Sequence, residues 1–259
     1  MKTCVLYLLH GEDLVPIWKN SLMTLRKSGY RQKVITYTTI KITPKLRKFA
    51  GKFRCRMEPL VIEGFEKDHE YHEVNSQEFN RISYEKFAIM HRALKQKFEL
   101  VVYVDCDVVF FSNFVPYLRG IARSEPIGAQ AATASRPPRR ICAGFMYFRN
   151  SWANKWRLRY LYKFALSHRE IGHDEAVFNY VRRYRPWVLR KVALLSDFLF
   201  STGLQYGNFT KKQLPFMEFD SEEYFRPFLF HANFVVGLED KVKLFKAIGG
   251  WVLDQETEN

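Results

Sequence analysis

The sequence predicts an α/β fold in which helices flank both faces of a mostly parallel central sheet. Residues Leu100–Val104 form an apolar, largely β-branched run, which is typical of a strand buried on both faces. The first 38 residues contain the patterns of a strand, a helix and a second strand, the opening of a βαβ unit. With 259 residues and 47% hydrophobic content, the chain is long enough for one large α/β domain or two small ones.

The opening βαβ unit follows from three consecutive patterns. Thr3–Leu9 is apolar and ends at the loop His10–Asp13, so we expect a buried strand there. Leu14–Ser28 has apolar residues at helical spacing, and Gly29 follows it, which suits a helix C-cap. Lys33–Thr38 is rich in β-branched and aromatic residues, which predicts the second strand.

The same two periodicities predict the remaining elements in order. Ser83–Phe98 is amphipathic, with Phe87, Met90 and Leu94 at helical spacing, and it leads directly into the central strand. Further helices are predicted at Pro44–Lys52, within Phe111–Gly120, at Ser151–Ser167 and from His173 onward. Further strands are predicted at Met57–Ile62, Ala129–Ala134, Ile141–Arg149 and immediately before His231, and Val192–Phe200 is predicted to hold a strand and a turn.

Two carboxylates, Asp105 and Asp107, end the central strand. In an extended chain they point to one side, while Cys106 between them points to the other. Ligands of open α/β sheets bind just beyond the carboxyl ends of the strands, and two such close charges call for a cation between them. A solvated turn would be the ordinary alternative, but the apolar residues Val108–Phe111 follow at once. The pattern therefore favours a divalent metal site at the strand end.

Three further features leave a functional and an ordinary interpretation open. Gly144, inside an apolar strand, indicates that something approaches the backbone closely. Asp174 and Glu175 open a helix, where capping and the helix dipole alone would explain them. His231 follows an apolar run, so it is either a core residue with a hydrogen-bond partner or a metal ligand.

Composition limits the class of protein and its partners. The formal charge of +14 indicates an anionic partner, without choosing among nucleotide, phosphate, nucleic acid and acidic membrane. Four widely separated cysteines argue against a structural zinc site and a disulfide framework, so buried free thiols are expected. The apolar stretch Cys4–Leu9 is too short for a signal peptide or a membrane span, and no later run reaches the length of a membrane span. We expect a soluble or cytoplasmic protein without a transmembrane segment.

The ordered set of motifs resembles the nucleotide-diphospho-sugar glycosyltransferases of the GT-A fold, most closely the glycogenin-like and related retaining families. The matching motifs are Val5–Gly11, Tyr84–Phe87, Asp105–Asp107, Ala143–Arg149, Asp174–Glu175 with Phe178–Asn179, and His231–Gly237 with Lys241 and Trp251. They span nearly the whole chain in the family's order, which is more specific than Asp-x-Asp alone. The resemblance implies a single Rossmann-like GT-A domain over residues 1–253, with a polar tail or linker at 254–259.

The resemblance also implies a role for each matched residue. Asp105, Asp107 and His231 would hold Mn²⁺ or Mg²⁺ against the diphosphate of a UDP-sugar, and Asp174 and Glu175 would lie near its anomeric carbon. The residues implied in donor binding are Leu8, Leu9, His10 and Gly11 at uracil and ribose, Lys86, Gly237 and Lys241 near the diphosphate, and Asp105, Cys106 and Gly144 in the matched motifs.

The implied reaction moves galactose, glucose or xylose from UDP to a hydroxyl of a glycan or glycoconjugate, with retention favoured. The positive charge suits an anionic acceptor, no nucleic-acid partner is implied, and the choice of monomer or dimer stays open. The chain departs from the family in two places. It has Asp174–Glu175 where Asp-Gln is common, so a glutamate could act as nucleophile or base, and it lacks Lys-Pro-Trp around Lys241.

Two alternatives come from other functional classes. An aspartyl-phosphate phosphatase would use Asp105 as nucleophile and Asp107 as acid and base, but such motifs usually open a domain, and about a hundred residues precede this one. A basic nucleic-acid-binding protein would explain the charge and the aromatic content. However, the basic residues are scattered over many elements, and no recognition motif is present.

Overall fold

Helices flank a seven-stranded sheet in the computed structural model, which describes residues 1–63, 76–132, 140–203, 227–233, 235 and 237–254. The strands are β1 (Thr3–Leu9), β2 (Lys33–Thr38), β3 (Cys55–Pro59), β4 (Leu100–Val104), β5 (Val108–Phe110), β6 (Ile127–Ala131), β7 (Ile141–Arg149), β8 (Ala193–Leu195), β9 (Phe200–Thr202) and β10 (Leu229–His231). The helices are α1 (Val15–Lys27), α2 (Pro44–Lys52), α3 (Gln77–Ser83), α4 (Glu85–Lys95), α5 (Val115–Ser124), α6 (Trp152–Ser167), α7 (Asp174–Tyr184) and α8 (Leu238–Ala247). The predicted tail at 254–259 lies, except for Asp254, outside these residues.

The central sheet is mostly parallel, as predicted. Its strand order is β3-β2-β1-β4-β7-β6-β8, with β1 parallel to β2 and β4, β2 parallel to β3, and β6 parallel to β8. Strand β7 runs antiparallel to both of its neighbours. A second sheet of three short strands, in the order β5-β10-β9, lies where the chain leaves β4. The carboxyl end of β4 therefore lies where the central sheet meets the small sheet.

Both faces of β1 are buried, which explains why its sequence is apolar throughout. Val5, Tyr7 and Leu9 belong to a core cluster that includes residues of α1, α2, α5 and α8. The alternate residues, Cys4 and Leu6 among them, belong to a second cluster with α4, α6 and α7. The two helical layers thus cover opposite faces of the sheet, as the period-two alternation of a doubly covered strand requires.

Several predicted element boundaries were wrong for local reasons. The third strand ends at Pro59, which has no N–H to continue the ladder, so Met57–Ile62 is half strand and half loop. The helix expected over Ser83–Phe98 is α4, which begins at Glu85 after the separate helix α3 and stops before Lys97, whose φ of 64° lies in the left-handed region. At Val192–Phe200 the predicted strand and turn are both present, as β8 and the turn that precedes β9.

Among the described residues, no helix combines the length and the apolar character needed to cross a lipid bilayer.

Candidate metal centre

Three side chains that could hold a metal ion converge at the carboxyl end of β4. Asp105 follows that strand, Asp107 precedes β5, and His231 ends β10, which pairs with β5 so that His231 lies opposite Val108. One ligand atom from each of the three side chains lies within 4.8 Å of the other two. His231 Nε2 is 3.2 Å from Asp107 Oδ1 and 3.7 Å from Asp105 Oδ2. Two carboxylates and one imidazole are a donor set that suits Mn²⁺ or Mg²⁺.

Gly144 gives this centre its room. Asp105 donates its backbone N–H to the Gly144 carbonyl at 2.8 Å, so β7 runs directly against the aspartate. A Cβ on Gly144 would lie 2.0 Å from His231 Cε1 and 2.7 Å from Asp105 Oδ2. The close approach inferred from this glycine is therefore made by two of the three metal-ligating side chains.

Gln130 fixes the orientation of the His231 ring. Its Nε2 donates to the carbonyls of Phe200 and Ser201, both at 2.8 Å, so its Oε1 is the atom that faces His231 Nδ1 at 3.0 Å. His231 therefore carries a proton on Nδ1, with the Cys142 sulfur at 3.5 Å as a second neighbour, and Nε2 is the nitrogen that faces the carboxylates. The sequence interpretation missed Gln130. The signal available in the sequence was a glutamine between two alanines in a predicted strand, and the structure shows that this glutamine is fully buried.

Lys86 joins the metal-ligating residues to the start of α7. Its ammonium lies 3.0 Å from Asp105 Oδ1 and 2.8 Å from Asp174 Oδ2. Tyr103 donates its hydroxyl to Asp105 Oδ1 at 2.8 Å, and its ring lies 5.1 Å from the ammonium. Burial disfavours the charged lysine, but the two carboxylates outweigh it and raise the pKa of Lys86 above its ordinary value.

Lys241, on α8, closes the other side of the centre. Its ammonium lies 2.5 Å from Asp107 Oδ2 and retains one-fifth of its side-chain exposure. Burial alone would raise the pKa of Asp107, but Lys241 and His231 hold it well below its ordinary value. Gly237 caps α8 with φ at 92°, a conformation that favours glycine although a Cβ there would have nothing within 4 Å.

The two adjacent carboxyls at the start of α7 have opposite environments. Burial opposes ionisation of Asp174, but Lys86 overcomes it and lowers the pKa of that carboxyl. Burial raises the pKa of Glu175, and the Asp174 carboxylate raises it further. The N-cap is His173, whose Nδ1 accepts from the Glu175 N–H at 3.3 Å, so capping does not account for either acid. Neighbouring carboxyls with pKa values moved apart are typical of acid and base chemistry.

The end of β1 and the loop after it present mainly backbone groups toward the centre. The side chains of Leu8 and Leu9 are buried in the core, and Cys106 donates its thiol to the Leu8 carbonyl at 3.3 Å on the side away from the carboxylates. Any contact from Cys106 to a bound molecule would therefore come from its backbone. The His10 ring is hydrogen-bonded to Thr39 Oγ1 at 2.7 Å, and Gly11 has φ at 84°.

An open cavity of about 600 Å³ adjoins this loop at the carboxyl ends of β2 and β3. Thr39, which bonds His10, is one of its walls, and Lys41 and Arg47 supply its positive charge. The sequence interpretation did not include this cavity.

Comparison with known proteins gives one family and a set of similar folds. The family model described as nucleotide-diphospho-sugar transferase matches residues 45–245. No curated protein matches the sequence.

Three solved structures illustrate the likeness in fold. Galactosyltransferase LgtC, in complex with donor and acceptor sugar analogues, is 12% identical over 98% of this chain and 94% of its own, with a TM-score of 0.62. Mouse xyloside xylosyltransferase 1 is 11% identical over 92% of this chain and 100% of its own, with a TM-score of 0.59. Glycosyltransferase GlyE from Streptococcus pneumoniae is 13% identical over 98% of this chain and 62% of its own, with a TM-score of 0.63.

Proposed function

The chain belongs to the nucleotide-diphospho-sugar transferase family, and we propose that it transfers a sugar from a UDP-sugar to a hydroxyl of a glycan or glycoconjugate with the help of Mn²⁺ or Mg²⁺. The observation that carries the proposal is the convergence of Asp105, Asp107 and His231 between two lysines. The family match favours this reaction over phosphatase chemistry or nucleic-acid binding.

The metal would be held by one oxygen of each aspartate and by His231 Nε2, and when bound it would act as a Lewis acid toward the leaving diphosphate. Lys241 adds a positive charge at the same place. Its partly exposed ammonium would stabilise negative charge on the leaving diphosphate. Lys86 acts differently, since it is buried and holds Asp105 and Asp174 in fixed positions.

Glu175 is the residue of this chain best suited to proton transfer or attack at the anomeric carbon. Its raised pKa and its position one residue from Asp174 place a basic carboxyl beside one that is ionised at neutral pH. Asp174, paired with Lys86, keeps its charge and would stabilise positive charge that develops on the sugar. We favour a retaining outcome by one of two routes. Either the departing phosphate oxygen receives the acceptor proton on the same face of the sugar, or the Glu175 carboxylate displaces the nucleoside diphosphate to form a transient covalent link that the acceptor hydroxyl then displaces.

The remaining binding functions are assigned from position. Backbone groups of Leu8–Gly11 would contact uracil and ribose, with His10 anchored by Thr39 and the adjoining cavity open beside it. Galactose, glucose and xylose are all candidates for the transferred sugar. The net charge of +14 suits the anionic donor and also an acidic acceptor.

We infer that residues 1–253 act as one catalytic unit, because the two ends of this range are joined. Asn20 on α1 donates to the Gly250 carbonyl at 2.8 Å and accepts from the Val252 N–H at 2.7 Å. Asn20 is fully buried, so these bonds are part of the packed interior.

Calorimetric titration with UDP, GDP and dTDP, each with and without Mn²⁺, tests the proposal. We expect UDP to bind tightly only when the metal is present, and Asp107→Ala to lose this metal-dependent binding while circular dichroism shows the native fold. UDP-galactose, UDP-glucose and UDP-xylose would then be compared as donors. Absence of nucleotide binding under all conditions, or unchanged UDP affinity in Asp107→Ala, would refute the assignment.

A further inference from the structure

Helices α6 and α7 and the turn after them expose an unusual number of aromatic side chains. Trp152 is 81% exposed, Trp187 62% and Tyr184 53%. Trp156 and Tyr180 are also exposed. Tryptophan is highly buried on average in soluble proteins. The α6–α7 face, defined by Trp152, Trp156, Tyr160, Tyr180, Tyr184 and Trp187, therefore needs an explanation other than packing.

These rings form a continuous surface. Along α6 the ring centroids of Trp156 and Tyr160 lie 5.5 Å apart, and those of Tyr160 and Phe164 lie 5.8 Å apart. Phe164 then reaches Tyr180 on α7 at 5.9 Å, and Tyr180 reaches Tyr184 at 4.7 Å. The turn that carries Trp187 is tied to α6, because Arg157 Nε donates to the Val188 carbonyl at 2.7 Å.

The same face is strongly basic. Residues 151–168 and 176–196 together contain nine Lys and Arg residues and no Asp or Glu. Among them, Arg159, Lys163, Arg183, Arg190 and Lys191 are exposed. Two stretches that make up a minor part of the chain thus supply much of its excess positive charge, and they place it around the exposed rings.

We propose that the α6–α7 face binds peripherally to the surface of an anionic lipid bilayer. Tryptophan and tyrosine rings are favoured at the level of lipid headgroups, where one side is apolar and the other is wet. Basic side chains close to such a surface are attracted to acidic lipids, each contributing about a fivefold increase in binding. The alternation of exposed rings with lysine and arginine on one broad face supplies both interactions together.

The geometry of the rings argues against nucleic acid or sugar as the partner. Stacking of bases or sugars requires a free ring face. Here Trp156 packs against Tyr160 and Tyr180 against Tyr184. In addition, Arg183 lies over Tyr184 at 5.3 Å, and Arg185 lies over Trp187 at 5.6 Å. Insertion into a headgroup layer needs exposed ring edges and area, which these side chains keep.

The position of the face relates it to the metal centre. Helix α7 begins at Asp174, which bonds Lys86, and ends at Tyr184 within the face, a length of about 16 Å for eleven residues. Bilayer binding on this face would therefore keep the Asp174 carboxylate within about one length of α7 from the membrane surface. The binding does not depend on the proposed reaction, so the two can be tested separately.

Sedimentation of the full chain with phosphatidylcholine vesicles, with and without phosphatidylglycerol, tests this proposal. We expect binding only when the acidic lipid is present, with a shift of tryptophan emission to shorter wavelength and loss of binding at high salt. Trp152→Ala with Trp187→Ala, and separately Arg159→Glu with Lys163→Glu, should each lower the partition coefficient at least about tenfold. Because all four side chains are exposed, we expect the unfolding curves of the variants to match that of the parent.

The matched control reverses charge on the opposite face of the sheet. Lys45 and Lys48 are exposed on α2, whose buried residues belong to the other core cluster, so Lys45→Glu with Lys48→Glu should leave binding within about twofold of the parent. If the charge reversals on α2 and on α6 lower the vesicle partition coefficient equally, binding depends only on net charge and the proposal is overturned. So would vesicle binding that persists in both α6–α7 variants, or tighter binding to a single-stranded oligonucleotide that the tryptophan substitutions abolish.

Discussion

Gln130 holds His231 by a hydrogen bond of 3.0 Å between Oε1 and Nδ1, and it can do so in only one orientation. A flipped amide would direct its oxygen at the carbonyls of Phe200 and Ser201, which both lie 2.8 Å from the amide nitrogen. The main chain of β9 therefore determines which nitrogen of His231 faces the carboxylates. Partners of this kind commonly orient metal-ligating histidines.

Replacing Gln130 should weaken the metal site without removing any metal ligand. Gln130→Met keeps the length of the side chain but cannot accept the Nδ1 proton, so we expect Mn²⁺ affinity to fall by about 10- to 100-fold. Electron paramagnetic resonance of free Mn²⁺ measures this directly. Leu118→Ala, a buried substitution in α5, serves as the control for general destabilisation. The same loss of affinity in both variants would make Gln130 an ordinary core residue.

Gly144→Ala should close the metal centre sterically. The added methyl would meet His231 Cε1 at 2.0 Å and Asp105 Oδ2 at 2.7 Å, so one of the two must move. We expect Mn²⁺-dependent UDP binding to be lost and the protein to be destabilised by about 1–3 kcal/mol. Gly51→Ala in α2 is the matched control, because a Cβ there meets nothing within 4 Å. Wild-type Mn²⁺ dependence in Gly144→Ala would contradict the geometry described above.

Lys86→Met should destabilise the protein more at neutral pH than in acid. In the parent, the lowered pKa of Asp174 means that its ion pair stabilises the fold above the unfolded pKa of about 4 and is lost as the pH falls further. Without Lys86, burial would raise the pKa of Asp174, so the variant regains stability as the carboxyl protonates. Urea unfolding should give a loss of about 3–5 kcal/mol at pH near 8 and a smaller loss near 5. A difference that is constant with pH would exclude a charged Asp174.

Glu175→Gln should reduce turnover while donor binding stays close to that of the parent. The substitution removes a carboxyl with a raised pKa but keeps its shape, and loss of a general base typically costs about 10²- to 10⁴-fold. Transfer rates and UDP-sugar affinity would be measured on the same preparation. Glu170→Gln, in the exposed turn before α7, should change neither quantity. Full activity in Glu175→Gln would remove this residue from the mechanism.

The thiols should react slowly in the folded protein. All four cysteines are free and buried, and burial raises the pKa of Cys4 above its ordinary value and that of Cys55 to about 11. Because the thiolate is the reactive form, alkylation near pH 8 should be slow until denaturant is added, when four thiols become reactive. Mass spectrometry counts the modified residues. Rapid labelling of Cys4 in the native protein would contradict its burial.

The sequence was sufficient for the parts of the fold whose pattern is local. Thr3–Leu9 and Leu100–Val104 were predicted to the residue, because a strand covered on both faces must be apolar at every position. The pair Asp105 and Asp107 was placed correctly at a strand end, but Cys106 and Asp107 form a turn between β4 and β5, so the two carboxylates converge through the turn rather than through the alternation of an extended strand. The expectation of free, buried thiols was also confirmed.

What could not be predicted depends on contacts between distant segments. Strands β5 and β9 have three residues each, too few for a periodic signal, although with β10, the strand predicted before His231, they bring that histidine to the aspartates. The bond from Lys86 to Asp174 joins two helices, and neither sequence shows the other's position. The roles of Glu175 and of the Leu8–Gly11 backbone in the reaction stay predictions.

The small sheet also has a consequence for how the active centre is assembled during folding. His231 pairs opposite Val108, more than 120 residues earlier in the chain, whereas Val104, next to Asp105, pairs with Phe145, about 40 residues away. Contacts of such long range close large loops and tend to form late. Asp105 and Asp107 would therefore be in place before His231 reaches them. A cation that binds only when all three side chains are together would favour the late pairing of β10 with β5.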